Sequence, residues 1–322
     1  MKIVISGGTG LIGKALVHDL EQDDHQIIIL SRSPKKYQNE FSENVILAKW
    51  DGRSMGEWAE HMNAADAVVN LAGESISGEQ FIPDRWNTEK KKRILKSRTN
   101  AGQALVAAIE AVDNKPKVLV QASAVGYYGA TGDSLVTETS PPGQDFLASV
   151  TRAWEASTEA VEALGVRRVV ARIGLVLSLE GGALPRLVFP TSLFAGGWFG
   201  SGDQWWPWIH IDDSVSALRF LIEEELAHGV FNLTAPDPVT NKEFGQALGR
   251  VMNRPALVPV PGFALRIALG EVASTILDGQ RAIPQHLMEM GFGFRFPEIN
   301  EALEDLLHEQ DHLDKVDNLI TA

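Results

Sequence analysis

The first thirteen residues constrain this chain more than any other stretch. Lys2-Ile3-Val4-Ile5-Ser6 is β-branched and apolar, as a short buried strand is. Gly7-Gly8-Thr9-Gly10-Leu11-Ile12-Gly13 follows at once, and Lys14-Ala15-Leu16-Val17-His18-Asp19-Leu20 continues with helical spacing. Strand, glycine turn and helix in that order aim backbone N–H groups and the positive helix end at an anion. The spacing Gly7, Gly10, Gly13 is a relative of the dinucleotide fingerprint. Its first glycine permits the tight turn, its second lets a pyrophosphate approach the backbone, and its third brings helix onto strand. Gly7, Thr9, Gly10, Leu11, Ile12 and Gly13 are therefore the expected cofactor contacts. The alternative is a strand-to-helix turn that holds no ligand.

The first half of the chain repeats that alternation. Gln26–Leu30, Val45–Ala48, Ala67–Leu71, Val118–Ala122 and Arg168–Arg172 are continuous apolar runs, as strands covered on both faces should be. Helical periodicity fills the intervals, most clearly over Thr99–Val112 and Leu147–Leu164. Repeated βα units predict an α/β fold, a doubly wound parallel sheet with helices on both faces.

The end of the second strand bears on cofactor choice. An NAD site places a carboxylate there, about 20 residues beyond the glycines, on the ribose 2′-OH. This chain instead has Leu30-Ser31-Arg32-Ser33, with Lys35 and Lys36 beyond. Ser31 and the Arg32 guanidinium suit a 2′-phosphate, so NADP(H) is the expected cofactor. Leu71-Ala72-Gly73 ends the fourth strand with small residues that let backbone approach adenine and ribose. Ser123 ends the fifth and is expected to face the nicotinamide half. Tyr127 and Tyr128 follow in a loop where neighbours point apart. Tyr127 is preferred for the cleft.

Composition excludes several classes. The 322 residues contain no cysteine, so disulfides, thiolate nucleophiles and Cys-type zinc sites are ruled out. No metal site is expected. A net charge of −13 opposes general nucleic-acid binding. No apolar run reaches the ~18 residues of a membrane span, and the N-terminus lacks signal-peptide character. A cytoplasmic protein with a small-molecule partner is expected.

Beyond Gly174 the rhythm loosens. Glycines cluster at Gly181-Gly182, Gly196-Gly197, Gly200 and Gly202, and Trp198, Trp205, Trp206 and Trp208 crowd together. Such a stretch suits either a loop closing over a ligand or a core patch beneath it. His210 is expected to be structural rather than a base, and Asp212 to cap a helix over Val215–Leu226. Further helices are expected at Asn241–Met252, Phe263–Asp278 and from Asn300. Of the cations in Ile82–Arg98, Arg98 is the one expected to point to the cleft.

Several motifs together resemble a known family. Gly7–Gly13, Asn70-Leu71-Ala72-Gly73, Ser123–Gly129 and Trp208–Asp213 are similar to the extended short-chain dehydrogenase/reductases of the NAD-dependent epimerase/dehydratase group. The spaced set Trp86, Lys91, Ile94, Ser97-Arg98, the stretch Phe146–Glu155 and the stretch Gly200–His210 resemble the subgroup of epimerase family proteins. The resemblance implies a Rossmann-like dinucleotide domain over residues 1–173. A smaller C-terminal substrate lobe over 174–322 would send some segments back to the sheet. It also implies bound NADP(H). The family's usual Tyr-x-x-x-Lys pair is missing: four residues beyond the three tyrosines stand Phe41, Thr131 and Gly132. At the matching place the candidates are Phe146 with Val150, or Leu147 with Thr151. Two functions remain open. One is an NADP(H)-dependent oxidoreductase or epimerase acting on a carbonyl or sugar-nucleotide-like substrate, with Ser123 and Tyr127 as catalytic groups. The other is a non-catalytic NADP(H)-binding sensor or regulator.

Overall fold

The computed structural model describes residues 1–78 and 80–308. Its central sheet has seven strands: β1 (Lys2–Ser6), β2 (Gln26–Ser31), β3 (Ile46–Lys49), β4 (Ala67–Asn70), β5 (Val118–Ala124), β6 (Arg167–Ile173) and β7 (Gly229–Leu233). Their order is β7-β6-β5-β4-β1-β2-β3, and every adjacent pair is parallel. The chain runs outward from β1 through β2 and β3, then returns to the opposite side of β1 for β4. That reversal opens a crevice at the C-terminal ends of β1 and β4, where open α/β sheets bind ligands. The sheet is the doubly wound one that the sequence predicts.

Seven helices bear on the site: α1 (Leu11–Leu20), α2 (Thr88–Ala111), α3 (Phe146–Ala156), α4 (Leu184–Ser192), α5 (Ile211–Glu223), α6 (Asn241–Val251) and α7 (Gly262–Leu269). Alternate residues of one strand enter opposite cores, which explains the continuous apolar runs. Ile3, Ile5, Ile27, Ile29 and Val69 pack with Leu16 and Leu20 of α1 and Leu218 and Leu221 of α5. Val4, Ile28, Leu30 and Val68 pack with Ala104, Leu105 and Ile109 of α2 on the other face. Each such Ile or Leu contributes about 1.5–3 kcal/mol over an exposed one. A third core lies beyond the sheet, in the expected C-terminal lobe region, where Leu184, Trp206, Trp208, Phe244 and Leu303 meet. Residues 211–233 leave that lobe to add α5 and β7 to the sheet.

Three helix expectations change. The Leu147–Leu164 stretch divides into α3 and a 3₁₀ turn over Glu159–Leu164. Phe263–Asp278 breaks at Gly270, whose φ of +61° a helix cannot accept. The helix expected over Val215–Leu226 begins earlier, at Ile211, and His210 rather than Asp212 caps it. The His210 Nδ1 accepts the Asp212 N–H at 3.1 Å, while the Asp212 carboxylate pairs with Arg295 at 3.0 Å.

Candidate active site

The glycine turn is built for an anion on the outside. Gly7 has φ +74°, and a Cβ there would stand 2.6 Å from the Leu71 carbonyl. A Cβ on Gly13 would stand 2.2 Å from the Gly7 oxygen. The fold itself demands glycine at both positions. Gly10 is different: it is exposed, its φ is −87°, and a Cβ would meet only the Gly7 oxygen at 3.4 Å. Nothing within the protein requires glycine at that point. Gly10 also begins α1 without a side-chain cap, so the first-turn N–H groups of Leu11, Ile12 and Gly13 stay uncapped. A cradle with that open face fits a pyrophosphate.

Register gathers the other predicted contacts around it. Ser6 pairs with Leu30 on one side and Asn70 on the other, so Gly7 neighbours Ser31 and Leu71. A buried chain of side-chain bonds holds these strand ends. The Ser6 hydroxyl donates to Asn70 Oδ1 at 2.6 Å, and Asn70 Nδ2 donates to Gln121 Oε1 at 2.8 Å. Asn70 Oδ1 also receives the Ala72 N–H at 3.3 Å. Ser31 is buried and accepts the Ser33 N–H through its hydroxyl oxygen, which leaves the hydroxyl proton free to donate. Arg32 is exposed, and its carbonyl is held by the Lys49 ammonium. Gly73 lies against the Arg98 guanidinium, where a Cβ would come within 3.1 Å.

Beyond the ends of β5 and β6 the sheet opens into a cavity of about 800 Å³ between sheet and lobe. Ala124, Val125, Gly126, Ile173, Gly174 and Leu175 form its floor. Phe146, Leu147, Val150 and Trp154 come from one face of α3, and Trp205 and Trp206 come from the lobe. Arg98 is the cation of the Lys90–Arg98 series on this wall, as expected. It donates to the Glu74 and Ile94 carbonyls, each at 3.0 Å, and lies over the Trp154 ring at 4.8 Å. Burial holds its guanidinium down to about 10, against the charge of Glu74. Asp278 also lines the cavity, and burial raises its carboxyl; Arg266 opposes that shift and Asp145 adds to it.

Ser123 and Tyr127, expected to act on a ligand, do not line this cavity. Both belong to a buried ionic network around Arg172. Arg172 is 3 % exposed and holds Glu155 through two bonds, 2.8 and 3.0 Å. The Ser123 hydroxyl donates to the same carboxylate at 2.6 Å. The Tyr127 ring covers the guanidinium at 3.3 Å. Tyr128 accepts from Arg172 at 3.1 Å and donates to Asn232 at 2.7 Å. Burial pushes its phenol up to about 12, with Arg172 opposing. The physical reason is polarity: a hydroxyl beside a buried ion pair is drawn into it rather than toward an apolar cavity. Sequence reasoning marked Phe146, Leu147 and Val150 only as places where the Tyr–Lys pair is missing, and did not foresee that with Trp154 they form a cavity wall. Their spacing, 146, 147, 150 and 154, marks one helix face.

The lobe holds a second ionic cluster away from this cavity. His210 Nε2 stands 3.4 Å from Asp305, and Arg295 bridges Asp212 and Asp305. Burial lowers the His210 imidazole, opposed by Asp212, Asp305 and Asp213 and assisted by Arg295. As pH falls, the unfolded chain therefore takes up this proton first. Stability should be whole above pH ~6.5 and decline below it. Urea midpoints measured between neutral and acidic pH check this, and His210→Asn, which keeps an acceptor for the cap, should flatten the slope. An unchanged slope refutes the assignment.

Comparison with known proteins agrees with these features. The family model "NAD dependent epimerase/dehydratase family" matches residues 3–234, and a domain of unknown function (DUF1731) matches 260–306. The epimerase family protein YfhF of Bacillus subtilis is 38 % identical over 310 residues, 95 % of this chain and 98 % of its own. The structure of human epimerase family protein SDR39U1 with NADPH is 34 % identical, with a TM-score of 0.85 over 96 % of this chain and 100 % of its own. A nucleoside-diphosphate sugar epimerase from Corynebacterium glutamicum is 30 % identical with a TM-score of 0.74, over 99 % of this chain and 61 % of its own. Among the described residues, no helix is long and apolar enough to cross a membrane.

Proposed function

The chain belongs to the NAD-dependent epimerase/dehydratase family, and we propose that it is an NADP(H)-dependent oxidoreductase acting on a carbonyl compound. The open face at Gly10 supports the cofactor part of this proposal, because a Cβ there would meet only the Gly7 oxygen and the space beyond is open to a ligand. Leu11, Ile12 and Gly13 N–H groups would hold the pyrophosphate, Ser31 and Arg32 the 2′-phosphate, and Leu71, Ala72 and Gly73 the adenosine side. The NADPH in the human relative supports that choice. When bound, NADPH supplies a hydride and leaves as NADP⁺, the carbonyl carbon accepting the hydride and its oxygen one proton.

The chain's own groups divide the remaining work. Ala124–Gly126 and Ile173–Leu175 form an apolar floor that excludes water from the reacting carbon. Asp278 is the cavity-wall acid whose carboxyl makes no hydrogen bond among the described residues, so it is assigned to hold the transferred proton. Ser123 and Tyr127 serve as positioning residues, fixing Arg172 and Glu155 beneath that floor. The cysteine-free composition suits a reducing compartment, the cytoplasm.

A sensor that performs no chemistry is the second reading. Its supporting observation is that Phe146, Val150, Leu147 and Thr151 all line the cavity where the Tyr–Lys pair would stand. The Thr151 hydroxyl is committed to the Leu147 and Ala148 carbonyls at 3.0 Å.

Calorimetric titration tests the cofactor. NADPH should bind at least ~10-fold tighter than NADH, about 1.4 kcal/mol, and Arg32→Ala should remove most of that difference. Equal affinities in the unaltered protein would refute the assignment. Single-turnover NADPH absorbance with a carbonyl panel separates enzyme from sensor. Asp278→Asn should slow oxidation while leaving NADPH affinity intact.

A further inference from the structure

We infer that the cavity accepts an uncharged aromatic carbonyl compound and rejects nucleotide sugars; this deepens the proposed hydride transfer and rests on it. Three observations point the same way. The first is the wall itself. Trp86, Phe146, Trp154, Phe199, Trp205 and Trp206 present aromatic surface around about 800 Å³, a size that encloses a ligand of two or three rings. Ring faces and edges of this kind favour another aromatic body over a hydrated sugar, several of whose hydroxyls would lose water against apolar surface.

The second observation concerns cations. A nucleotide sugar carries a diphosphate, which calls for free guanidinium or ammonium groups or an open helix N-terminus. Two arginines line the cavity, and each gives part of its guanidinium to protein partners. Arg98 spends Nη1 on the Glu74 and Ile94 carbonyls and its face on Trp154. Arg186 donates to the Ser77 hydroxyl at 3.1 Å and to the Gly78 and Gln80 carbonyls at 3.4 and 2.6 Å. Of the helix ends at the cavity, that of α3 is capped, Asp145 accepting the Ala148 N–H at 2.8 Å and itself lining the wall; that of α4, at Ala183, has no side-chain cap, but its second residue is Pro185, which has no N–H to offer.

The third observation is the sign of the remaining charge. Glu271 is paired with Lys91. That leaves Asp145 and Asp278 as the acids that an entering diphosphate would face. Phosphate charges brought against the Asp145 carboxylate, in an apolar cavity, are repelled, and Asp278 holding its proton supplies no positive charge to offset that. A neutral ketone or aldehyde meets no such barrier, and its oxygen accepts a proton from an acid on that wall.

The test uses the NADPH-loaded protein with two probes, the uncharged ketone 2-acetonaphthone and UDP-glucose. Quenching of tryptophan fluorescence should show saturable 2-acetonaphthone binding at least about tenfold tighter than that of UDP-glucose. Leu147→Glu, on the α3 wall, should weaken the ketone by a further tenfold or more. Ile82→Glu does the same from an exposed position at the mouth, 69 % accessible, where folding is not at stake. Leu147→Arg should instead raise UDP-glucose affinity by supplying the free cation. UDP-glucose binding the unaltered protein as tightly as the ketone would overturn the inference. So would ketone binding indifferent to both glutamate substitutions. NADPH absorbance in the same samples keeps the two proposals apart. Bound ketone with no NADPH oxidised supports the ligand class and defeats hydride transfer. NADPH oxidation driven by UDP-glucose defeats the ligand class and leaves hydride transfer standing.

Discussion

Gly10→Val lowers NADPH affinity at least ~100-fold, about 2.7 kcal/mol, in a protein that stays folded. The reason lies in where the new methyl groups go. With φ at −87° the backbone at residue 10 suits any L-residue, and a Cβ there has only the Gly7 oxygen at 3.4 Å as a neighbour. The side chain therefore costs the fold little. It occupies the face on which the pyrophosphate must rest against the first-turn N–H groups of α1. Gly13→Ala provides the contrast. Its Cβ would fall 2.2 Å from the Gly7 oxygen, so that variant should fail to fold. Thermal unfolding with and without NADPH separates the cases: Gly10→Val should keep the apo transition and lose the ligand-induced rise. A Gly10→Val protein that binds NADPH normally would place the phosphates somewhere other than this turn.

Glu155→Ala lowers folding stability by about 3–5 kcal/mol, because it strands a buried guanidinium. Arg172 is 3 % exposed and its main partner is the Glu155 carboxylate; the Tyr128 hydroxyl and Glu138 carbonyl that remain carry no compensating charge. The pair itself is not required for a stable core. Replacing Glu155 with Leu and Arg172 with Met together should restore most of the loss, since neither buried charge then exists. Ser123→Ala should cost about 1.5–3 kcal/mol, the worth of a hydrogen bond to a charged group. Tyr127→Phe should cost still less, because its ring covers Arg172 and its hydroxyl makes no bond among the described residues. Urea denaturation of the single and double variants decides the matter. A Glu155→Ala loss below about 1 kcal/mol would show that solvent reaches Arg172 and that the network is not a buried one.

Much of the sheet was legible because burial on both faces leaves a plain signature. Val4 and Ile28 turn to one core while Ile3 and Ile27 turn to the other, so no polar residue interrupts either run. β7 escaped notice because Val230, Phe231 and Leu233 are a short apolar run outside the βα repeats of the first half, and only the tertiary structure sets them beside β6. The break at Gly270 and the cap at His210 escaped for another reason. Helical periodicity continues across Gly270, where only a positive φ sets the boundary, and at His210 it is a ring nitrogen aimed at one N–H that fixes where strand gives way to helix.

At the site, the glycine turn was legible from local order alone. Strand, glycines and helix are contiguous, and the roles of Gly7 and Gly13 follow from contacts with residues at most a few turns away or on the adjoining strand. The same contiguity brought out Ser31 and Arg32. The cavity could not be read that way. Its floor comes from β5 and β6, its wall from α3, and its aromatic cover from the lobe; residues 86, 146 and 205 share no local pattern. Tertiary structure likewise decided which hydroxyls remain free. Ser123 sits at the end of its strand as its place in the chain implies, but a carboxylate 32 residues away accepts its hydroxyl proton and is itself held by an arginine 17 residues further still. A residue's position along a strand is local information. The partner that claims its hydroxyl is set by packing, because a buried charge recruits whichever polar atoms the fold brings within reach.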